Sequence, residues 1–358
     1  MNVAYVTNIA PPYRIPLFKK LQESGGNDFH FIFCTRREGN RNWDVTTNDI
    51  DAIFLSEQNI KTKDGYNYIH NNTNILTVLW RINPDVVIIT GLNPTMLYAF
   101  LYCTVSHKKL IYMTDGNIES EKDLDFVHRL IRKLVFRECA AFIGMNRKAE
   151  ALFLSYDIPR RKIFRSQLCV DNCLYRSGAT YDDRDIDLLF CGQLHERKMP
   201  YFFLDVFEEV YKFRDIRARI IGDGPLKDSI ISRISHLGGD CKYIGSLQPQ
   251  EIIRYYGRSK ILCFPTRHDS WGMVANEAMA SGVPVITTPQ AGVANELVLD
   301  GINGFVLEPN VKRWTNTIVD LLVDPVRWQR FSSAARKEVA KYNYDEAAKG
   351  ILDAIGSL

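Results

Sequence analysis

The sequence predicts an α/β protein with two domains, each a doubly wound parallel sheet with helices on both faces. Short apolar strands alternate with helical segments through both halves of the chain, which is the pattern of such sheets. The chain has 358 residues, more than one hydrophobic core usually accommodates. Residues 171–185 are polar and lack periodicity, as a segment between domains does. We therefore expect domains at 1–170 and 186–344, joined by that linker and followed by a last helix at 345–358.

The composition narrows the class of protein. Hydrophobic residues make up 46% and charged residues 24% of the chain, which are globular values. A net charge of +3 gives no argument for a nucleic acid partner. No apolar run approaches the ~20 residues of a membrane span, and the first strand begins without a basic leader or cleavage site. The eight cysteines are scattered, so we expect reduced thiols and a cytoplasmic protein.

In the first domain, the turn after the first strand is a candidate site. Residues 2–7 are an apolar strand, and Asn8 to Arg14 form a turn stiffened by two prolines. Arg14 can contact an anion or an acceptor, or it can be an ordinary surface arginine. Asp115 follows a second strand, where ligands bind in open α/β sheets, although aspartate before glycine is also common in plain turns. Strands are expected at 2–7, 29–34, 53–55, 86–90, 110–114 and 141–144.

Residues 122–165 form a basic segment with two interpretations. Eleven lysines and arginines against five acids give it a charge of +6. One interpretation is a core-facing helix with a solvated basic face. The other is a helix face that rests on anionic lipid headgroups. The apolar residues at helical spacing are Leu124, Val127, Leu130, Ile131, Leu134 and Val135.

In the second domain, a strand at 186–190 leads into a turn that carries Arg197 and Lys198. Cations beside a strand-to-helix turn are well placed to hold a diphosphate. The alternative is two ordinary surface cations. Gly222 and Gly224 mark the turn after the next strand, which alone is a weak signal.

Residues 262–287 predict a strand, a loop, a helix and another strand. Gly272 stands where the helix begins, and free amides at a helix N-terminus attract phosphate. Asp269 precedes it in the loop, and Glu277 follows four residues after Met273, on one helix face with it. Two acids with amides between them could grip a sugar nucleotide, or Glu277 could pair with a basic side chain inside the protein. A short helix is expected at 292–297.

This stretch resembles the Glu-x7-Glu segment of the retaining GT-B glycosyltransferases of family 4, the glycosyl transferases group 1. Two residues depart from the usual pattern, because Asp269 replaces a glutamate and Trp271 a phenylalanine. The resemblance covers the whole second domain, and the first only through its βα rhythm. It implies a GT-B fold whose last helix crosses back to the first domain. The matching positions are Pro265, Gly272, Glu277, Ala278, Met279, Ala280, Gly282, Pro284 and Val285.

The resemblance also assigns roles to residues. Asp115 stands where the family often has a histidine, and Arg197 would supply the charge of a family arginine that is Gln193 here. The residues implied at the reacting centre are Asp269, Lys198, Arg197 and Asp115. Those implied in donor binding are Gly192, Gln193, Gly222, Gly224, Leu247, Ser270, Trp271, Gly272, Met273, Val274 and Glu277. Those implied in acceptor binding are Asn8, Pro12 and Arg14.

The implied activity is transfer of a sugar from a nucleoside diphosphate sugar, with retention at the anomeric carbon. UDP is favoured by its frequency in the family, and the acceptor would be a glycan or a lipid-linked saccharide of the cell surface. No Asp-x-Asp metal motif stands where a metal-dependent transferase needs one, so no metal or cofactor is expected. The alternatives are a GT-B sugar-nucleotide epimerase and a non-catalytic two-lobed sugar- or nucleotide-binding protein. A dehydrogenase is disfavoured, because the glycine-rich dinucleotide fingerprint is missing.

Overall fold

A computed structural model describes residues 1–39, 46–57, 59–62, 68–118 and 125–358. The chain forms two compact units: Met1–Leu168 with Tyr344–Leu358, and Cys169–Asn343. Residues 171–185, predicted as a linker, belong to the second unit. Leu124 of the predicted apolar stripe lies outside the described residues.

The first unit is built on a seven-stranded, all-parallel sheet, with a separate antiparallel pair beside it. Its strands are β1 (Asn2–Thr7), β2 (Asp28–Phe33), β3 (Ala52–Phe54), β4 (Asn59–Lys61), β5 (Tyr68–His70), β6 (Val86–Ile89), β7 (Lys109–Thr114), β8 (Ala141–Gly144) and β9 (Ile163–Arg165). The order in the large sheet is β3-β2-β1-β6-β7-β8-β9, and β4 pairs with β5. The order reverses between β1 and β6, as in the predicted doubly wound architecture.

Helices cover both faces of this sheet. They are α1 (Ile15–Glu23), α2 (Ile75–Ile82), α3 (Pro94–Val105), α4 (Phe126–Glu138), α5 (Arg147–Ser155) and, at the end of the chain, α12 (Tyr344–Gly356). The helix α12 packs on α1, β8 and β9, and the Ser166 hydroxyl donates to the Ala347 carbonyl over 2.8 Å. The expectation that the last helix returns to the first domain is confirmed.

The second unit is a six-stranded parallel sheet. Its strands are β10 (Ile186–Cys191), β11 (Arg217–Ile221), β12 (Asp240–Gly245), β13 (Ser259–Phe264), β14 (Val285–Thr287) and β15 (Gly304–Val306). Its helices are α6 (Pro200–Tyr211), α7 (Lys227–Ser235), α8 (Pro249–Arg258), α9 (Met273–Ala280), α10 (Val311–Leu322) and α11 (Pro325–Val339). The order β12-β11-β10-β13-β14-β15 is the strand order of dinucleotide-binding folds.

The expected short helix at 292–297 is wrong. This segment forms turns and an isolated bridge between Ala294 and Val298, and another bridge joins Asp269 to Ala291 just before it. The Gly292 amide donates to the Asp269 carbonyl over 2.8 Å, and the Val293 amide donates to the Trp271 carbonyl over 3.1 Å. These two bonds tie the segment to the 269–271 loop, which it supports.

Among the described helices, none has the length and apolar character needed to cross a membrane. The helix α4 has an apolar face that is not buried. Its side chains Phe126, Val127, Leu130 and Leu134 are 78, 58, 47 and 53% exposed. Its C-terminal end packs into the unit, where the Phe136 ring centre lies 4.9 Å from that of Tyr112, and Ile131 packs against the same core. The interpretation of the predicted stripe as core-facing is therefore wrong for most of its described members.

Candidate functional site

The candidate site lies at the carboxyl edge of the second sheet. There β10 and β13 are neighbours, while the strands that follow each of them lie on opposite sides. Ligands bind in open α/β sheets beside the carboxyl ends of two such strands, where the strand order reverses. The loop after β10 carries Arg197 and Lys198, and the loop after β13 carries Asp269.

The two loops are fixed to each other by hydrogen bonds. Residues Glu196–Lys198 form one 3-10 turn, which ends at Met199 in a left-handed conformation, φ 51°, before α6 begins. The Arg197 carbonyl accepts from the Arg267 amide over 2.8 Å and from the Thr266 hydroxyl over 3.0 Å. The Arg197 guanidinium donates to the His268 carbonyl over 2.8 Å. The predicted cations are therefore held against the loop that carries Asp269.

Lys198 and Asp269 form a buried ion pair. Each side chain is only 13% exposed, and the Lys198 ammonium lies 4.9 Å from the ring centre of Phe264. Burial alone would raise the pKa of Asp269, but the charge and hydrogen bond of Lys198, with the charge of Arg197, hold it below its usual value. Asp269 is thus ionised at neutral pH, and Lys198, which is largely buried beside it, is not an ordinary surface cation.

Trp271 contributes its indole to the protein interior. The indole N–H donates to the Asn276 Oδ1 over 2.7 Å, and the ring packs 5.7 Å from that of Tyr342. The Trp271 amide donates to the Asp269 Oδ1 over 3.3 Å. Because the side chain is 2% exposed, the predicted donor contact of Trp271 is available only to its backbone.

Gly272 brings the loop into α9 through a tight approach. Its φ is +112°, and a Cβ there would lie 2.3 Å from the Phe264 ring. Any other residue would clash and take up an unfavourable backbone conformation. The glycine therefore lets the first turn of α9, with Met273 and Val274, start directly beside the 269–271 loop that contains Ser270.

Glu277 has two tyrosines as partners. Tyr175 Oη donates to Oε1 over 3.2 Å, and Tyr256 Oη donates to Oε2 over 2.7 Å. Burial raises the pKa of Glu277 to about 7, although the hydrogen bonds from Tyr256 and Tyr175 lower it. No ion pair of Glu277 occurs within the described part of the chain, so the alternative of an internal basic partner is not borne out.

The other predicted donor-binding residues of this unit lie at the same edge of the sheet. The Gly192 amide donates to the Ile221 carbonyl over 3.0 Å, and the Gly222 amide donates to the Gly245 carbonyl over 2.9 Å. These bonds join the ends of β10, β11 and β12. Gln193 and Gly224 lie in the two loops beyond them, and Leu247 lies between β12 and α8.

The candidates of the first unit lie at the carboxyl edge of its own sheet. Arg14 is buried, with Nη1 donating to Tyr5 Oη over 2.8 Å and Nη2 directed at Met145 Sδ, 2.7 Å away. The alternative of a surface arginine is therefore wrong. Asn8 accepts from Asn93 over 2.7 Å, and Pro12 begins a 3-10 turn. Asp115 follows β7, and its carbonyl accepts from Asn146 over 3.2 Å.

Two functional candidates were missed from the sequence. Tyr175 stands in the segment predicted to be a linker, where no pattern marks it. Tyr256 belongs to α8, and its burial could have been inferred from the helical spacing of Ile252 and Tyr256. Across the described ranges, no cluster of three or more His, Cys, Asp or Glu residues could hold a metal ion.

Comparison with known proteins places the second unit in a family. Residues 175–338 match the family model of the glycosyl transferases group 1. The second unit belongs to this family. A D-inositol 3-phosphate glycosyltransferase of Xylanimonas cellulosilytica is 24% identical over 173 residues, 46% of this chain and 41% of the relative. A lipopolysaccharide 1,2-N-acetylglucosaminetransferase of Salmonella typhimurium is 27% identical over 175 residues, 45% of this chain and 46% of the relative.

These alignments span less than half the length of each curated relative. The fold comparison extends further. HepE from Anabaena, solved in complex with UDP and glucose, superposes with a TM-score of 0.78 at 14% identity, with all of both chains covered. The chain therefore has the GT-B fold, as the resemblance implied.

Proposed function

We propose that this protein is a retaining glycosyltransferase that uses a nucleoside diphosphate sugar. The observation that carries the proposal is the Lys198–Asp269 pair beside the N-terminus of α9, at the switch point of a group 1 unit. In the reaction, the bond between the anomeric carbon and the diphosphate oxygen breaks. A bond to an acceptor hydroxyl oxygen forms with the same configuration, and the hydroxyl proton is released. Membership of glycosyltransferase family 4 is part of this proposal.

Each group of the site has a task in this reaction. Lys198, Arg197 and the first amides of α9 stabilise the negative charge that develops on the departing diphosphate. Asp269, kept ionised by its cationic neighbours, accepts hydrogen bonds from hydroxyls of the donor sugar. Glu277 accepts from the ribose. Asp115, Asn8, Pro12 and Arg14 stand in the acceptor-binding unit under this proposal.

The donor is proposed to be a UDP-sugar, and the acceptor a saccharide or lipid-linked saccharide of the cell surface. Support comes from HepE, whose structure holds UDP and glucose, and from the Salmonella relative, which is named a lipopolysaccharide 1,2-N-acetylglucosaminetransferase. A thermal-shift screen against nucleoside diphosphates tests the base, because a ligand that binds the folded state raises apparent stability. A UDP response no larger than those of GDP and ADP would contradict the donor assignment.

One incubation separates this proposal from the epimerase and the non-catalytic binding protein. Nucleotide sugars are incubated with and without lipopolysaccharide-type acceptors, and free nucleoside diphosphate and sugar isomers are measured. A transferase releases diphosphate mainly with acceptor, and NMR of the product then gives an unchanged anomeric configuration. An epimerase converts the donor without acceptor, and a binding protein does neither. We propose that the reaction needs no metal, so EDTA should leave the rate unchanged.

A second property, contact with an anionic membrane surface from the cytoplasmic side, is supported by α4. The exposed apolar side chains Phe126, Leu130 and Leu134 recur every fourth residue. Arg129, Lys133 and Arg137 recur with the same spacing and are exposed, so a basic row runs beside the apolar one. An apolar row bordered by cations is the pattern of a helix that lies in the headgroup region of anionic lipids.

A further inference from the structure

Glu277 is held from two sides by segments far from it in sequence. Tyr175 comes from the 169–185 segment that opens the second unit, and Tyr256 comes from α8. Each hydroxyl donates to a different carboxylate oxygen, over 3.2 and 2.7 Å. The two tyrosine rings also pack edge to face, with centres 6.1 Å apart. The three side chains form one cluster, which we call the tyrosine clamp.

The clamp is itself anchored. The Ser281 hydroxyl, just beyond α9, donates to the Tyr175 carbonyl over 2.7 Å. The Arg184 guanidinium donates to the Tyr256 carbonyl over 3.0 Å and to the Ser281 carbonyl over 2.8 Å. Arg184 is 2% exposed, so a buried cation connects the Tyr256 backbone to Ser281, which in turn holds Tyr175. The hydroxyls are therefore placed by rigid structure.

A carboxylate has about four acceptor positions on its two oxygens, and the clamp uses one position on each oxygen. The remaining acceptor positions of the carboxylate suit two neutral hydrogen-bond donors that lie side by side. A vicinal diol offers such a pair, whereas a phosphate would be repelled by the carboxylate. The ribose of a nucleotide presents this diol, and Glu277 lies one turn into the helix whose N-terminus faces the proposed diphosphate site.

We propose that Tyr175 and Tyr256 are positioning residues that aim the Glu277 carboxylate at the ribose diol of the nucleotide. The inference rests on the proposed function and adds to it the residues that orient the acid. Burial raises the pKa of Tyr256 well above its ordinary value, so Tyr256 stays a donor. A further titratable group facing the clamp is the Cys191 thiol, whose pKa is raised to about 12 by burial and by Glu277.

The test is calorimetric titration with UDP and with 2′,3′-dideoxy-UDP, which lacks both ribose hydroxyls. The proteins are the wild type, Tyr175→Phe, Tyr256→Phe and the control Tyr211→Phe, whose tyrosine stacks on Phe207 away from the clamp. We expect each clamp variant to bind UDP about three- to tenfold more weakly, with unchanged affinity for the dideoxy compound. The control should match the wild type for both.

A pH series adds a measurement that a purely structural role would not change. The preference for UDP over the dideoxy compound should rise with pH through about 7, as Glu277 ionises. Because the Tyr256 hydrogen bond lowers the pKa of Glu277, Tyr256→Phe should move this midpoint to higher pH. If a clamp variant loses affinity for both compounds equally, or keeps the wild-type preference and midpoint, the clamp proposal is wrong. Equal wild-type affinities would contradict the ribose role of Glu277 itself, and the clamp with it.

Discussion

At the scale of single residues, Lys198 is the cation whose removal is most informative. Lys198→Ala should weaken UDP binding by roughly ten- to a hundredfold, the value of a charge-assisted hydrogen bond. The fold should persist, although Asp269 loses its partner and its pKa should rise. Titration with UDP measures the loss, and Lys312→Ala, an exposed lysine of α10, is the control. Unchanged binding in Lys198→Ala would remove the diphosphate role.

Asp269 and Glu277 have different surroundings, so their variants should fail differently. Asp269→Asn leaves Lys198 in place for the diphosphate and should cut turnover while keeping UDP affinity within about threefold of wild type. Glu277→Gln should lower UDP affinity itself, by about 1–3 kcal/mol, because ribose hydroxyls lose a charged acceptor. Calorimetry and initial rates on both variants make the comparison. Equal loss of UDP affinity in the two would disprove the division of roles.

The raised pKa of Glu277 gives a stability prediction for the free protein. The folded value is about 7, against an ordinary 4.5, so the folded state binds the proton more tightly than the unfolded state. Stability from this group is fully present below pH 4.5, is lost as pH rises to about 7 and is constant above. Glu277→Gln removes this pH dependence. Between pH 4.5 and 8, the free energy of unfolding of the wild type should therefore fall by roughly 3 kcal/mol relative to that of Glu277→Gln.

Urea unfolding at several pH values measures this difference, with Glu308→Gln as an exposed control. A constant gap between Glu277→Gln and wild type across the series would mean that the folded protein does not perturb this carboxyl.

At the scale of elements, the sequence allowed two environments for α4, the core of the protein and the surface of an anionic membrane. Neutralising Arg129, Lys133 and Arg137 to glutamine should abolish flotation with vesicles of anionic lipid, and Leu130→Ser with Leu134→Ser should weaken it. A matched control neutralises Lys312, Arg313 and Arg330, which are exposed on the second unit. The wild type should remain unbound to neutral vesicles.

Two outcomes would count against a membrane role for α4. One is that the wild type stays at the bottom of the gradient with anionic vesicles. The other is that the control triple variant loses flotation as fully as the α4 variant, since general electrostatics would then explain the binding. If wild-type flotation fails while the protein forms complexes with another protein through α4, the face serves that partner instead.

Periodicity and turn signals predicted both sheets and the βα order, and the family resemblance implied that Arg197, Lys198 and Asp269 share a site. They did not predict that 292–297 is irregular, because the amides of Gly292 and Val293 bond to a loop distant in sequence. They also did not predict a role for Tyr175, because its polar neighbours lack periodicity and were predicted to form a linker. In α4 the helical spacing was predicted correctly, but most of the apolar stripe is exposed. The spacing of apolar residues shows that they share a helix face, and it does not show what covers that face.

At the scale of the whole molecule, the two units have separate hydrophobic cores. The last helix, α12, packs within the first unit. Gly350 of α12 lies tightly against the end of β9. A Cβ there would lie 1.6 Å from the Arg165 carbonyl oxygen, whereas a Cβ at Gly356 on the same helix would meet nothing within 4 Å. Gly350→Ala should therefore destabilise the first unit by about 1–3 kcal/mol through overpacking.

Differential scanning calorimetry with and without UDP tests this prediction against the ligand assignment. UDP should raise the transition of the second unit alone, since binding to a folded unit stabilises that unit. Gly350→Ala should lower the other transition and leave the UDP-dependent one unchanged, while Gly356→Ala should lower neither, because alanine is the better helix former. If Gly350→Ala lowers the UDP-dependent transition instead, the assignment of α12 to the first unit is wrong.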